Sequence, residues 1–342
     1  MMTPSLWQRR RGQLLLCAMG SIVFLIAVGL LALLPGTPNL SLPALWSIVN
    51  GGGTPLARLV VIQLRLPRLV LSMLAGAMLA LSGGLLQGSL RNPLAGPELL
   101  GVSAGATMVV AAITIFHLPV LLIAIPWLAL VGGLLGSSVV ILTMRRMGDS
   151  VRLILTGAAM TALLNACVII FMSLGTQNDL NILFLFLVGS LANRTWVHVQ
   201  LVLPWALVAM PLALLCARPL NILQLGDDVA RGLGLPVVRV RLLILVLSTA
   251  LVAAVVAVCG PISFIALLAP HLARRLLKTS DARVILPYVT LLGAALLTAA
   301  DLFAREAFAP QELPVGIWTT LVGGPFLLFL LRRRFGKSRG AP

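Results

Sequence analysis

The sequence predicts an all-α protein that crosses a membrane about ten times. Three observations support this: 60% of the 342 residues are hydrophobic, only 10% are charged, and the mean hydropathy is +1.08. A chain with so little polar surface cannot cover a water-soluble globule of this length. No segment is long and polar enough to fold as a separate soluble unit, so residues 1–342 are predicted to form a single transmembrane domain.

The lengths of the apolar runs define the predicted spans, because a helix needs about 20 apolar residues to cross roughly 30 Å of hydrocarbon. The run 262–277 is short and contains Pro270. Residues 180–191 have the length of an interfacial or re-entrant helix, and they would raise the count to eleven if they crossed. The ten predicted spans are residues 14–34, 66–88, 99–116, 118–143, 151–174, 197–217, 240–260, 262–277, 284–304 and 314–331.

The basic residues predict the orientation, since cytoplasmic loops hold most Lys and Arg. With the N-terminus inside and ten spans, 20 of the 25 basic residues fall in the cytoplasm and both termini are cytoplasmic. The formal charge of +16 is therefore interpreted as a topology signal. Scattered basic residues do not form the patch that nucleic acid would need. The five arginines left outside are Arg58, Arg65, Arg68, Arg194 and Arg305.

The ionisable residues argue against catalysis and ion coupling. The nine acidic residues lie nearly all at helix ends or in loops, and the three histidines are isolated at span edges. No HExxH motif or other cluster of metal ligands is visible, so neither an intramembrane enzyme nor a metal site is predicted. An ion-coupled secondary transporter usually keeps ionisable groups inside its spans. Their scarcity here disfavours this functional class, which is kept as an alternative.

Several short patterns have simple interpretations. The four cysteines lie in or beside apolar runs without CxxC spacing, which predicts buried small side chains and no disulfide framework. Arg9 to Arg11 precede a run of span length, which favours an uncleaved first helix over a signal peptide. Gly336, Lys337 and Ser338 match the end of a P-loop, but Leu331 replaces the required first glycine. ATP binding by this motif is therefore not predicted.

The second span has small residues at three- and four-residue spacings. Such a face lets another helix approach closely, either as permanent packing or as a surface that slides during transport. The small residues are Gly76, Ala80, Gly83, Gly84 and Gly88.

The segment 218–238 is too charged to cross a membrane and has one apolar side. Gly226 and Asp227 are typical of a helix start. Short amphipathic helices in a loop fit a groove on a partner protein, whereas the alternative is a helix lying on lipid headgroups. The adjacent carboxylates of Asp227 and Asp228 favour the protein, because anionic lipid would repel them. The apolar side consists of Leu223, Leu225, Val229, Leu233 and Leu235.

Five segments resemble, in the same order and spacing, the permease family of iron-siderophore and cobalamin ABC importers. The resemblance covers nearly all of the chain from residue 64 onward, and its wording is most similar to permeases for ferric-catecholate siderophores of the enterobactin type. The segments are residues 64–106, GDDVARGLGLP at 226–236, GPISFIALLAPHLARRLL at 260–277, ADLFARE at 300–306 and ELPVGIWTTLVGGP at 312–325.

The resemblance implies the fold of the cobalamin importer permease, with about ten helices, and a location in the bacterial inner membrane. It implies ATP-driven import of a ferric siderophore, with cobalamin or haem as the alternative cargo. A second permease subunit, identical or different, would complete the pathway, ATPase subunits would bind the cytoplasmic loops, and a periplasmic binding protein would deliver the cargo. ATP and Mg²⁺ would bind the ATPase, so this chain would hold no cofactor and would not be an enzyme.

The family pattern also implies site residues. Arg65, Arg68 and Arg305 would dock the binding protein, because the planar guanidinium can bind a carboxylate at two points, although snorkelling to the interface is the alternative. A cytoplasmic gate would lie at Asn92, Leu94 and Ser150, where the turn at 91–93 is also compatible with ordinary helix termination. The implied ATPase-coupling residues are Gly226, Asp227, Asp228, Arg231, Gly232, Leu233 and Gly234.

Overall fold

The computed structural model describes residues 4–35, 39–147 and 150–338, and within these ranges it is helical and contains no strand. A π-helical turn, Val60–Arg65, joins the third and fourth helices, and short 3-10 turns at Pro97–Leu100 and Leu122–Ala124 precede α5 and α6. The helices of the described residues are α1 (Pro4–Leu33), α2 (Leu42–Val49), α3 (Pro55–Leu59), α4 (Leu66–Ser89), α5 (Val102–Ile115), α6 (Ile125–Met147), α7 (Ser150–Leu174), α8 (Gln177–Val188), α9 (Trp196–Leu215), α10 (Ala217–Gln224), α11 (Asp227–Gly232), α12 (Val237–Cys259), α13 (Ile265–Leu277), α14 (Ala282–Glu306) and α15 (Val315–Ser338).

The predicted all-α, polytopic class is confirmed. In the described residues, seven helical segments are long and apolar enough to cross a membrane, and three shorter apolar helices accompany them. The seven are Gly12–Leu33, Pro55–Ser89, Leu122–Thr143, Arg152–Leu174, Trp196–Leu215, Val237–Cys259 and Ala282–Glu306, and the three are Val102–Ile115, Gln177–Val188 and Val315–Leu328.

Two short elements differ from the predicted boundaries. Residues 260–264 are not helical and Phe264 has φ +68°, so α13 keeps only 13 residues of the predicted span 262–277. At 1.5 Å per residue it is about 20 Å long, which is less than the hydrocarbon thickness. The segment predicted at 180–191 is α8, whose 12 residues begin at a capping box on Thr176.

The interior of the bundle is built from α4, α12 and α14. In the most apolar 18-residue stretch of Val237–Cys259, 83% of the stretch is buried, and in that of Pro55–Ser89 the share is 78%. In the corresponding stretch of Gly12–Leu33 only 11% is buried. Helix α4 packs against α9, α12, α13 and α14. The first helix therefore lies at the periphery, and movements of α4 or α12 must be accommodated by most of the bundle.

The small-residue face of α4 packs as predicted against neighbouring helices. A Cβ added to Gly76 would overlap the backbone oxygen of Gly293 in α14, and one added to Gly83 would overlap the backbone oxygen of Ala266 in α13. The backbones touch at these positions because no side chain separates them. Close packing is thus the structural role of this face.

Contacts assign the charged residues to two opposite ends of the bundle. The C-terminal ends of α1 and α14 meet the N-terminal ends of α4 and α9, where Arg65 and Arg305 bind carbonyls of α1 and Trp196 Nε1 donates to Ile62 O. We call this end the outer face, following the predicted orientation. The inner face is the opposite end, where α10 and α11 lie. The arginines predicted to be outside at positions 65, 68 and 305 therefore share one face.

Candidate functional site

The inner-face loop consists of two short helices, α10 and α11, and glycines form the turns on either side of α11. Gly226 separates α10 from α11 with φ +115°, and Gly234 ends the turn after α11 with φ +79°. Both φ values lie in the region that glycine adopts without a steric penalty. A Cβ on Gly232 or Gly234 would meet nothing within 4 Å, so this end of the loop faces open space.

Asp227 anchors the loop to two membrane helices. Its carboxylate accepts two hydrogen bonds from the fully buried Arg241 of α12, at 2.8 and 3.0 Å, and lies 3.2 Å from Arg91 Nη2 at the end of α4. The hydrogen bonds from Arg241 hold the pKa of Asp227 below its usual range, with further help from the nearby positive charges. Asp227 thus ties α11 to α4 and α12.

Asp228 has a different environment from Asp227. Its side chain is fully exposed, and its described ion-pair partner is Arg231, one turn further along and itself mostly exposed, at 3.1 Å. An exposed pair of this kind adds little to stability. The sequence analysis predicted the same role for both neighbouring carboxylates. In the structure, Asp227 binds arginines of the bundle, whereas Asp228 lies on the surface.

The predicted apolar side of the loop divides into two parts. Leu223 is buried and Leu235 is half-buried, so these two pack against the bundle. Leu225, Val229 and Leu233 are 61%, 50% and 62% exposed and recur every four residues. We call these three residues the loop strip. They form an apolar surface beside exposed charges, as at the core and rim of a protein interface.

On the outer face, Arg65 and Arg305 cap the end of α1. Arg65 Nη1 donates to Leu33 O at 2.7 Å and to Leu34 O at 3.0 Å, and Arg305 Nη2 donates to Ala32 O at 2.8 Å. The last carbonyls of a helix lack partners within the helix and carry partial negative charge, which guanidinium groups neutralise. Both arginines therefore hold α1 against the bundle.

Arg68 is the centre of a charged network. It contacts both oxygens of Asp301 in α14, at 2.9 and 3.0 Å, and Glu312 Oε2 at 2.8 Å. Asp301 and Arg68 have side chains only 7% and 12% exposed, whereas Glu312 is 42% exposed. The network joins α4, α14 and the segment before α15. Docking by Arg65, Arg68 and Arg305 stays a prediction, and each of these guanidiniums already has partners within the chain.

The predicted gate residues lie at helix ends on the inner face. Asn92 Oδ1 accepts a hydrogen bond from Leu94 N at 3.0 Å, which closes the turn after α4. Leu94 is 41% exposed. Ser150 begins α7, and its side chain lies outside the described part of the structure. The gate therefore stays a prediction.

Two functional features were not found by sequence reasoning. Arg241 stands in the apolar run VRVRLLILV, and an arginine buried there needs a carboxylate, which was the available signal. Asp301 and Glu312 gave no local sign that they would share Arg68. Within the described ranges, no three His, Cys, Asp or Glu side chains are grouped so that they could hold a metal ion.

Known proteins resemble this chain over most of its length. The model of the FecCD transport family matches residues 24–333. The chain is 40% identical over 330 residues to the hemin transport system permease protein HmuU of Yersinia pestis, covering 93% of this chain and 96% of HmuU. It is 38% identical over 311 residues to the ferric enterobactin permease FepG of Escherichia coli, covering 90% and 92%. Over 276 residues it is 40% identical to the Fe(3+) dicitrate permease FecD of the same species, covering 80% and 85%.

A solved structure also resembles this chain. A metal-chelate type ABC transporter in an inward-facing conformation superimposes with a TM-score of 0.84 at 30% identity, covering 92% of this chain and 98% of the other. The named relatives are permease subunits of iron-siderophore and haem transport systems. The resemblance found in the sequence is confirmed, and the multi-pass helical architecture agrees with it. This chain belongs to the FecCD transport family.

Proposed function

We propose that this chain is a permease subunit of an ATP-driven importer that carries a ferric siderophore across the bacterial inner membrane. The observation that supports it most is the loop strip, an exposed apolar surface on a loop anchored to the two most buried spans. ATP and Mg²⁺ would bind a separate ATPase at this loop. A periplasmic binding protein would deliver the chelate, and a second permease subunit would complete the pathway.

The anchoring of the loop supports a mechanical role. A partner that pushes or pulls α11 acts through Asp227 on Arg241 of α12 and on Arg91 at the end of α4. Since α4 packs against α9, α12, α13 and α14, a displacement at the loop would reach the centre of the bundle. Packed helices respond to such displacements by discrete shifts rather than by continuous deformation. The loop would thereby couple ATP hydrolysis to opening of the pathway.

Charged substitutions in the loop strip test this function. Val229→Asp and Leu233→Asp should reduce copurification of the ATPase about tenfold or more and should abolish uptake, because a carboxylate would be buried at the centre of the interface. Membrane insertion should be unchanged, since both side chains are exposed. Arg152→Asp, an exposed position on α7, serves as the control and should retain the ATPase. Normal ATPase binding and uptake in both strip variants would refute the proposed coupling.

Docking of the binding protein at Arg65, Arg68 and Arg305 remains part of the proposal, and Arg68 offers the clearest route. Its buried contact with Asp301 fixes the guanidinium, whereas its contact with Glu312 is half-exposed. A carboxylate of the binding protein would replace Glu312 while Asp301 stays in place. The complex would then weaken with added salt, because exposed charges are screened over about 8–10 Å.

Neutralising the competing carboxylate tests this exchange. Glu312→Gln should tighten the complex with the binding protein by up to about fivefold, because an exposed ion pair is worth at most about 1 kcal/mol. Binding can be measured by surface plasmon resonance without ATP, and Asp228→Asn on the inner face is the control. A complex whose affinity and salt dependence do not change in Glu312→Gln would contradict exchange at Arg68.

The cargo within the family is proposed from the sequence pattern. The relatives named for hemin, dicitrate and enterobactin transport are 40%, 40% and 38% identical, so overall similarity does not separate these ligands. The wording of segments 226–236 and 260–277 favours a ferric siderophore. Haem is the second candidate, supported by the 93% coverage of this chain in the match with the hemin permease. Competition between the two chelates in an uptake assay distinguishes them.

A further inference from the structure

A groove of about 410 Å³ opens between α1, α13 and α14 at their inner-face ends. Its walls include Leu14 and Ala18 of α1, Leu277 of α13, and Val284, Pro287 and Leu291 of α14. Tyr288 also lines the groove, and its hydroxyl lies 2.9 Å from Ser21 Oγ, which satisfies the polar end of the ring. The lining is therefore almost entirely apolar.

The position of the groove indicates what fills it. Both α1 and α14 are long and apolar enough to cross a membrane, and α1 lies at the periphery of the bundle, so a groove between them would open towards the hydrocarbon. Apolar cavities of about 150 Å³ exclude water and accept a molecule as large as benzene, so a larger apolar groove has room for a hydrocarbon chain. A peptide segment would bring backbone N–H and C=O groups that the groove cannot satisfy. A lipid acyl chain has no polar groups of this kind, so it can fill the groove without leaving a hydrogen-bonding group unsatisfied.

The inner end of the groove is basic. Lys278 directly follows Leu277, Arg275 stands two residues before it, and Arg283 directly precedes Val284, so three exposed cations lie within two residues of the lining. No salt bridge joins these three to a carboxylate in the ranges that the structure describes. Asp281 lies among them, and hydrogen bonds from Asn221 and from Arg283 N lower its pKa, so it carries one negative charge against three positive ones. The surplus is positive.

We propose that this groove binds an anionic phospholipid of the inner leaflet. One acyl chain lies between α1 and α14, and the phosphate lies against Arg275, Lys278 and Arg283. Basic pockets between membrane helices on the cytoplasmic side bind anionic headgroups in this way. Because α1 has few buried residues of its own, the lipid fills the gap between this peripheral helix and the bundle.

Spin-labelled lipids test the site. The full chain, with any subunits that copurify, is placed in phosphatidylcholine nanodiscs, and the motionally restricted fraction of chain-labelled phosphatidylglycerol is compared with that of labelled phosphatidylcholine. We expect a preference for phosphatidylglycerol of about fivefold or more, the effect of even one positive charge near the surface. Equal association of both lipids with the parent protein would overturn the proposal.

Two sets of variants separate headgroup from chain. The combined changes Arg275→Gln, Lys278→Gln and Arg283→Gln alter only exposed side chains, and they should bring the preference to about one while some restricted lipid of both kinds remains. Ala18→Trp fills the groove and should lower the restricted fraction of both lipids below that of the triple variant, while lipid bordering the rest of the bundle stays restricted. Its neighbour Met19 is 60% exposed and does not line the groove, so Met19→Trp should behave like the parent. Persistent preference in the triple variant, or a restricted fraction of phosphatidylglycerol in Ala18→Trp equal to that of the parent, would refute the site.

Discussion

Replacing Gly83 by alanine should prevent stable folding of the bundle. The added methyl group would overlap the backbone of Ala266, and backbone cannot move aside as a flexible side chain can. Separating α4 from α13 should cost about 3 kcal/mol or more, at the upper end of overpacking effects, because in the described residues α4 packs against six other helices. Thermal unfolding in detergent and the yield of membrane-inserted protein measure the effect.

Gly20 provides the matched control for this substitution. It lies in the peripheral helix α1, and a Cβ there would meet nothing within 4 Å. Gly20→Ala should therefore leave yield and thermal stability unchanged. Equal stability of the Gly83→Ala and Gly20→Ala proteins would contradict the close contact between α4 and α13.

Asp227→Lys should release the inner-face loop and abolish coupled uptake. The change removes the Asp227 carboxylate from the buried guanidinium of Arg241 and places a third cation beside Arg241 and Arg91. Breaking such a buried pair costs about 3–5 kcal/mol, which exceeds the stability of a short helix on a loop. Limited proteolysis of the intact transporter should then cut between residues 217 and 236. The same experiment on Asp228→Lys should leave the loop resistant, because Asp228 is fully exposed.

Protonation of Asp227 should also release the inner-face loop, but only in acid. Because the folded state lowers its pKa, the carboxylate stabilises the loop above its unfolded pKa of about 3.9, and this contribution is lost as the pH falls through the lower folded value. Protease resistance of the loop should therefore be constant between pH 6 and 8. Equal proteolysis of the Asp227→Lys and Asp228→Lys proteins would show that Asp227 is not an anchor.

Local patterns in the sequence predicted the fold class and the packing face of α4. Apolar runs of span length follow from composition alone, and the spacing of Gly76 and Gly83 already puts them on the same side of a helix. The boundaries of α13 depended on backbone turns at residues 260–264 that composition does not reveal. Short amphipathic helices are therefore the part of such a chain that hydropathy describes least well.

The environment of each candidate site residue depends on partners that are distant in the sequence. The roles of Asp227 and Asp228 differ because Arg241 and Arg91 reach only the first of them, and neither partner is close enough in the chain to show a periodic relation. On the outer face, Arg65 was an exception to the rule that basic residues lie in the cytoplasm. A described partner of its guanidinium is a backbone carbonyl group, which every residue carries, so the sequence could not identify it. Sequence reasoning thus located the charged faces without identifying which charges are already satisfied.

Uptake by reconstituted vesicles tests the central claim most directly. The chain, its partner ATPase, its second permease subunit and its binding protein are placed in liposomes, and accumulation of a radiolabelled ferric siderophore is followed with and without ATP. We expect uptake that requires ATP and the ATPase and that persists when a protonophore dissipates the proton gradient, since the acidic residues lie mostly at helix ends and in loops. Uptake that continues without the ATPase but collapses with the proton gradient would contradict the account and identify an ion-coupled transporter.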